Sequence, residues 1–93
     1  MLNAMRIDPA DNVAVAIEPI AKGEVVEFDA GGEVRRLTAL EDITIYHKLA
    51  CRDIPKGEPV VKYGQHIGSA VTDIKTGQHV HVHNVESHSE NLD

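Results

Sequence analysis

The chain has 93 residues, 42% of them hydrophobic, and its 15 acidic against 9 basic side chains give a formal net charge of −6. That length holds one domain with a modest core, and the acidic balance excludes a general nucleic-acid surface, which needs clustered Lys and Arg. No apolar run approaches the ~20 residues of a membrane span, no charged-then-apolar leader opens the chain, and a single cysteine, Cys51, permits no internal disulfide. A reducing, cytoplasmic setting is the expectation.

In chain order, Asp8, Asp11 and Asn12 suit a turn before a first strand, Asn12 to Glu18, which places Val13, Val15 and Ile17 on one face and alanines on the other. The small second face predicts close packing. Val25–Asp29 and Glu33–Leu37 flank Ala30-Gly31-Gly32, a hairpin signal. Asp42 to Tyr46 alternates with Ile43 and Ile45 inward. His47 to Cys51, with its Lys, Leu and Ala, is the best helical segment and supports a single turn. Cys51 reads as a small buried hydrophobe near a strand end, with a catalytic thiol as the alternative. Pro59–Tyr63, Gln65–Ala70 and Gln78–Val85 complete the strands. Seven glycines and four prolines interrupt everything else. The fold class expected is therefore all-β, a small domain of residues 1–85 followed by a polar tail, 86–93.

A short phrase recurs along the chain. Ile20-Ala-Lys-Gly23-Glu-Val-Val26, Ile54-Pro-Lys-Gly57-Glu-Pro-Val60 and Ile74-Lys-Thr-Gly77-Gln-His-Val80 share Ile-x-x-Gly-x-x-Val, with Glu or Gln after each Gly. A strand ends at Ile, a turn takes positive φ at Gly, and a new strand starts near Val. The spacing is unequal, so the chain is not a solenoid.

Three of the six histidines fall in Gly77-Gln-His-Val-His-Val-His-Asn84. On a strand, His79, His81 and His83 share one face, about 6.6 Å apart, with the row's ends about 13 Å apart. Two of them can meet one metal at ~2.0–2.1 Å; three cannot, so a further ligand such as His47 or His66 would be borrowed. A polar outer face over Val80 and Val82 is the plain alternative. His47-Lys48 can bind an anion such as a carboxylate or form a solvated turn. In Lys62-Tyr63-Gly64, Tyr63 is an acid candidate or a core-edge aromatic. No nucleophile elbow, Cys-x-x-Cys or spaced carboxylate pair is present.

Read in order, Asp11-Asn-Val-Ala-Val-Ala-Ile17, His47-Lys-Leu-Ala50 and the block Asp53 to Asn84 resemble the SAF domain of the altronate and galactarate dehydratase family. The resemblance implies a β-clip of bent hairpins folded over one another. It implies either the N-terminal part of a long sugar-acid dehydratase or the separate small subunit of a two-chain enzyme, as in sulfolactate sulfo-lyase. The chemistry implied is elimination of water, or of sulfite, from a 2-hydroxy acid, shared with a large catalytic subunit or domain. The same resemblance implies a divalent metal, Fe2+ or else Mn2+. It suggests catalytic roles for His47, Lys48 and His83, substrate contacts at Lys62, Tyr63 and Asn84, and metal ligands at His81 and His83. His79 is not needed by the pattern and reads as a bystander. Tyr46 stands where the family commonly has Gly. Two other readings stay open: a carbohydrate-binding or assembly module, as β-clip domains are in sialic-acid synthases and flagellar chaperones, and a homo-oligomerisation domain pairing strand edges.

Overall fold

A computed structural model describes residues 2–87. The described chain is all-β, with no helix. Its strands are β1 (Ala4–Met5), β2 (Val13–Ala16), β3 (Val25–Ala30), β4 (Glu33–Thr38), β5 (Lys48–Ala50), β6 (Pro59–Lys62), β7 (Gln65–Ala70), β8 (His79–Val80) and β9 (Val85–Ser87). They form a four-stranded sheet in the order β1-β2-β5-β8, the hairpin β3-β4 and a three-stranded sheet β6-β7-β9, with every pairing antiparallel.

The four-stranded sheet divides two cores, and the alternation of side chains along a strand explains how. Ala14 and Ala16 of β2 and Leu49 of β5 pack with Val26 and Phe28 of β3. Val13 and Ala50, on the opposite face, pack with Val60, Ala70 and Val80. The alanine face of the first strand thus lies under the Phe28 hairpin, as its small residues predicted. Both hairpin tips are two-residue turns with positive φ at each central residue, Gly31-Gly32 and Tyr63-Gly64, the backbone that matches the twist of flanking strands. Tyr63 is exposed at that tip rather than lying at a core edge.

The recurring phrase is a structural unit with four copies, not three. Gly23, Gly57 and Gly77 lie at φ +91, +89 and +88, and Tyr46 lies at φ +70. In each copy the residue after that position donates its backbone N–H to the carbonyl three residues back: Glu24 to Ala21, His47 to Thr44, Glu58 to Pro55, Gln78 to Lys75. The four isoleucines that open the copies pair in two isolated bridges, Ile20 with Ile43 and Ile54 with Ile74. The Glu or Gln after Gly also has a reason. Glu24 accepts from the Ala21 N–H and Gln78 from the Lys75 N–H, whereas Pro55 has no N–H to offer.

Three buried asparagines clamp the backbone beyond the glycine turns. Asn3 donates to Val25 O and accepts from Glu27 N–H; Asn12 does the same with Pro59 O and Val61 N–H; Asn84 with His79 O and His81 N–H. Each spans the residues two and four places after its glycine.

Three expectations are corrected. His47 to Cys51 is not a helical turn: residues 48–50 are β5, paired with both β2 and β8, and this pairing overrides a weak helix propensity. Asp42 to Tyr46 is a turn carrying one bridge at Ile43 rather than a strand. Gln78 to Val85 is not continuous: β8 ends at Val80, Asn84 closes a turn over 81–84 by donating its N–H to His81 O, and β9 begins at Val85. The sheet also continues through Glu86 and Ser87, past the expected domain end. The remainder of the expected tail, 88–93, lies outside the described residues. No helix among the described residues is long and apolar enough to cross a membrane.

Candidate functional site

Two copies of the repeated turn, those at Tyr46 and Gly77, lead into strands that pair with each other, Lys48 opposite Val80 and Leu49 opposite His79. This pairing carries His47 to the histidines of the last phrase. His47 Nδ1 and His79 Nε2 are 2.9 Å apart, so one donates to the other whenever one of them carries a proton. The His47 and His81 rings stack with centroids 4.1 Å apart and 11° between planes, and His79 stacks at 5.1 Å from His47 and 5.6 Å from His81. One ligand nitrogen from each of His47, His79 and His81 lies within 4.8 Å of the others. The turn over 81–84 makes this possible, because it folds back a row that a continuous strand would hold extended.

The electrostatics are one-sided. Burial, and then His47, His83 and His81, hold the His79 imidazole below its ordinary pKa, against the opposing pull of Glu41. Burial, followed by His47, Lys48 and His83, does the same to His81. Lys48 is half-buried, and its pKa is lowered by burial and then by the charge of Lys62. His79 and His81 thus favour the neutral imidazole with a free lone pair. Among the described residues, His81 Nδ1 is the one buried side-chain polar atom without a hydrogen-bond partner. A cleft of roughly 210 Å³ beside it is lined by Lys48, Ile67, His81, Val82 and Val85.

The structure sorts the sequence-derived residues. It joins His47, Lys48 and His81, with Lys62 close enough to Lys48 to depress it. His83 is exposed and tilted, its ring 5.2 Å from that of His79, and it stands outside the close group. Tyr63 sits under the Lys62 ammonium, 4.8 Å from ring centre to Nζ. Asn84 faces inward at 2% exposure with its amide bonded at both ends to backbone, so its work is to hold the turn. The sequence reading missed His79, which replaces His83 in the group of three, and Glu41, whose carboxylate accepts the His79 backbone N–H at 3.1 Å. His-Val-His-Asn ends on a residue that favours turns, and that was the available signal for His79. An apolar hollow of roughly 480 Å³, lined by Ile20, Ile43 and their neighbours, lies at the first pair of bridged turns. A smaller counterpart sits at the Ile54–Ile74 pair. Such hollows follow from the repeat and not from the histidines. Cys51 is a buried free thiol pushed up to about 12 by burial, a packing residue rather than a nucleophile.

A small all-β domain with a cationic, histidine-rich edge is the class that fold and site define. The family profile described as altronate/galactarate dehydratase SAF domain matches residues 2–88, and the chain belongs to that family. It is 42% identical over 89 residues to altronate dehydratase of Escherichia coli (strain K12), covering 96% of this chain and 17% of that protein. It is 38% identical over 88 residues to altronate dehydratase of Bacillus subtilis (strain 168), again 17% of that protein. It is 53% identical over 75 residues to (2R)-sulfolactate sulfo-lyase subunit alpha of Chromohalobacter salexigens, covering 78% of this chain and 80% of that subunit. The chain therefore spans about a sixth of the dehydratases it matches, and most of the sulfo-lyase subunit.

Proposed function

We propose that this chain supplies one wall of the active site of a cytoplasmic sugar-acid hydro-lyase, completed by a large dehydratase-type subunit or domain. The observation that carries this reading is the convergence of Lys48, Lys62 and the histidines on one edge of an otherwise acidic chain. In the reaction a base takes the proton from the carbon beside the carboxylate, the C–H electron pair forms the double bond, and the C–O bond to the next carbon breaks. The hydroxide leaves as water once an acid has given it a proton. Lys48, half-buried beside the cleft, holds the substrate carboxylate with Lys62 as its outer partner. His83, exposed at the rim and outside the stacked group, carries the proton. His47, 2.9 Å from His79 and stacked on His81, holds the histidine group beside Lys48. A divalent metal, Fe2+ or Mn2+ in the assembled enzyme, supplies positive charge to the departing oxygen when bound. The donor set suits such an ion: three imidazoles with a ligand nitrogen each within 4.8 Å of the others, and one buried, unpartnered nitrogen among them.

The test is reconstitution with a large dehydratase-type subunit, measuring the 2-oxo acid formed from altronate or galactarate. His83→Ala should lower turnover at least tenfold, and Lys48→Ala should raise KM for the acid. Unchanged kinetics in both variants would overturn the assignment. A second reading, the small subunit of a sulfo-lyase, is favoured by the match over 80% of the alpha subunit's length. Release of sulfite from sulfolactate, with no turnover of the sugar acids, would select it.

A further inference from the structure

The proposed function leaves open where a metal sits and whether this chain can hold one without its partner. On a continuous strand only two of the three histidines of the last phrase can meet one ion. The fold alters this. His79 opens β8, His81 enters the turn that follows Val80, and His47 reaches them from the paired copy of the same turn. The three donors come from two chain segments that backbone pairing fixes to each other.

We propose that His47, His79 and His81 bind one divalent cation on this chain alone, as a three-nitrogen set that leaves an open position facing the Lys48 cleft. Four observations support the set. The three ligand nitrogens lie within 4.8 Å of one another, and a tetrahedral ion with bonds of ~2.0–2.1 Å holds its nitrogens about 3.3 Å apart, so the widest pair needs to close by roughly 1.5 Å. His47 and His79 already approach to 2.9 Å. His81 Nδ1 is buried with no partner, a position that costs free energy unless something binds there. The main-chain N–H of His79 is held by Glu41, and that of His81 by Asn84, so the backbone beneath two of the ligands is fixed.

The donor chemistry narrows the ion. Three imidazoles and no carboxylate suit Zn2+, Co2+ or Fe2+ rather than Mg2+ or Ca2+. A neutral donor set also leaves the full double charge on the ion. With Lys48 beside it, the open position favours an anionic oxygen ligand such as the carboxylate of a hydroxy acid.

This inference deepens the lyase reading but is tested without turnover. The 93-residue chain is titrated with Co2+ alone, followed by its visible absorption and by calorimetry, and lactate is then added as a simple 2-hydroxy acid. One Co2+ per chain is expected, with a change in the visible band when lactate binds. His79→Ala and His47→Gln should each weaken Co2+ binding at least tenfold. His83→Ala and His66→Ala should change it less than threefold. Thermal melting and circular dichroism of each variant verify that the fold is kept, and His79→Gln serves if His79→Ala does not fold. Absence of 1:1 binding would overturn the site, as would a loss in His83→Ala equal to that in His79→Ala. Failure of the reconstitution assay with intact Co2+ binding would instead remove the lyase reading and leave the site standing.

Discussion

Gly77 and Gly23 occupy the same place in two copies of one turn, at φ +88 and +91, yet their surroundings differ. A Cβ at Gly23 would meet nothing within 4 Å, whereas at Gly77 it would stand 2.1 Å from the Thr38 carbonyl oxygen and 3.4 Å from the Leu40 nitrogen. Tyr46, at φ +70 in a third copy, shows that the turn itself tolerates a side chain. Gly23→Ala therefore carries only the left-handed strain of ~1–2 kcal/mol, reduced by the ~0.4–1 kcal/mol that alanine removes from unfolded-state entropy. A net loss of about 0.5–1 kcal/mol follows. Gly77→Ala carries the same strain and must also displace the Thr38 carbonyl by over an ångström, in a segment where Leu40 N–H donates to Gly77 O. Overpacking of this kind costs ~1–3 kcal/mol, for a total of about 2–4 kcal/mol.

Urea denaturation of the two variants beside the parent chain measures both quantities. At ~4–8 °C per kcal/mol for a domain of this size, Gly77→Ala should melt roughly 10–25 °C lower and Gly23→Ala a few degrees lower. Equal losses in the two variants would refute the reasoning, because only φ is common to both sites. A Gly77→Ala variant as stable as the parent would show that the Thr38–Leu40 segment yields freely.

Asn12→Ala strips partners from Val61 N–H and Pro59 O in a buried site; at ~1–3 kcal/mol per stranded group, a loss of about 2–4 kcal/mol is expected in urea titration, and one below about 0.5 kcal/mol would deny the clamp its role. Cys51, pushed up to about 12, should resist iodoacetamide at pH 8 in the native chain and react in denaturant; stoichiometric native labelling within minutes would contradict its burial. Burial raises the Asp11 carboxyl, but the backbone groups of Gly64, Asp8, Tyr63 and Ile7 outweigh it and hold its pKa below the ordinary value. Its stabilising contribution is thus complete above the unfolded value of ~3.9 and is lost as pH falls through the lower folded value. Asp11→Asn should flatten the acid limb of a stability–pH curve, and an unchanged limb would mean that the bond from Gly64 N–H carries no net stability.

Much of the fold was legible because turn chemistry is local. Gly31-Gly32 announced its hairpin, and Ile-x-x-Gly-x-x-Val announced three of the turns. The fourth copy stayed hidden because Tyr46 stands in the glycine's place and Leu49 in the valine's, so only backbone geometry reveals the equivalence. The asparagine clamps were invisible for a different reason. Asn3 and Asn12 precede the glycine turns they serve, and Asn84 follows its own, so no fixed spacing records them. Missing the Asn84 clamp made the His-Val alternation look like a continuous strand, and that in turn separated His79 from its neighbours. His47 and Lys48 were legible as polar residues beside a strand; that they meet the last phrase is a matter of long-range pairing, which spacing does not encode.

The repeat also explains why the histidines collect where they do. The copies at Gly23 and Gly57 lead into β3 and β6, each paired to its own hairpin partner, so residues beyond those turns face a neighbour close in sequence. The copies at Tyr46 and Gly77 lead into β5 and β8, which pair with each other. Among the four copies, only there do the strands leaving two turns pair with each other, at one side of the four-stranded sheet. His47 follows its turn directly, while His79 and His81 follow theirs at the two sites that Asn84 clamps. The corresponding residues beyond Gly57 are Pro59 and Val61, and those beyond Gly23 are Val25 and Glu27, held by the same amide geometry. One backbone device thus holds strand starts at three turns, and at the third the clamped residues are the imidazoles of His79 and His81.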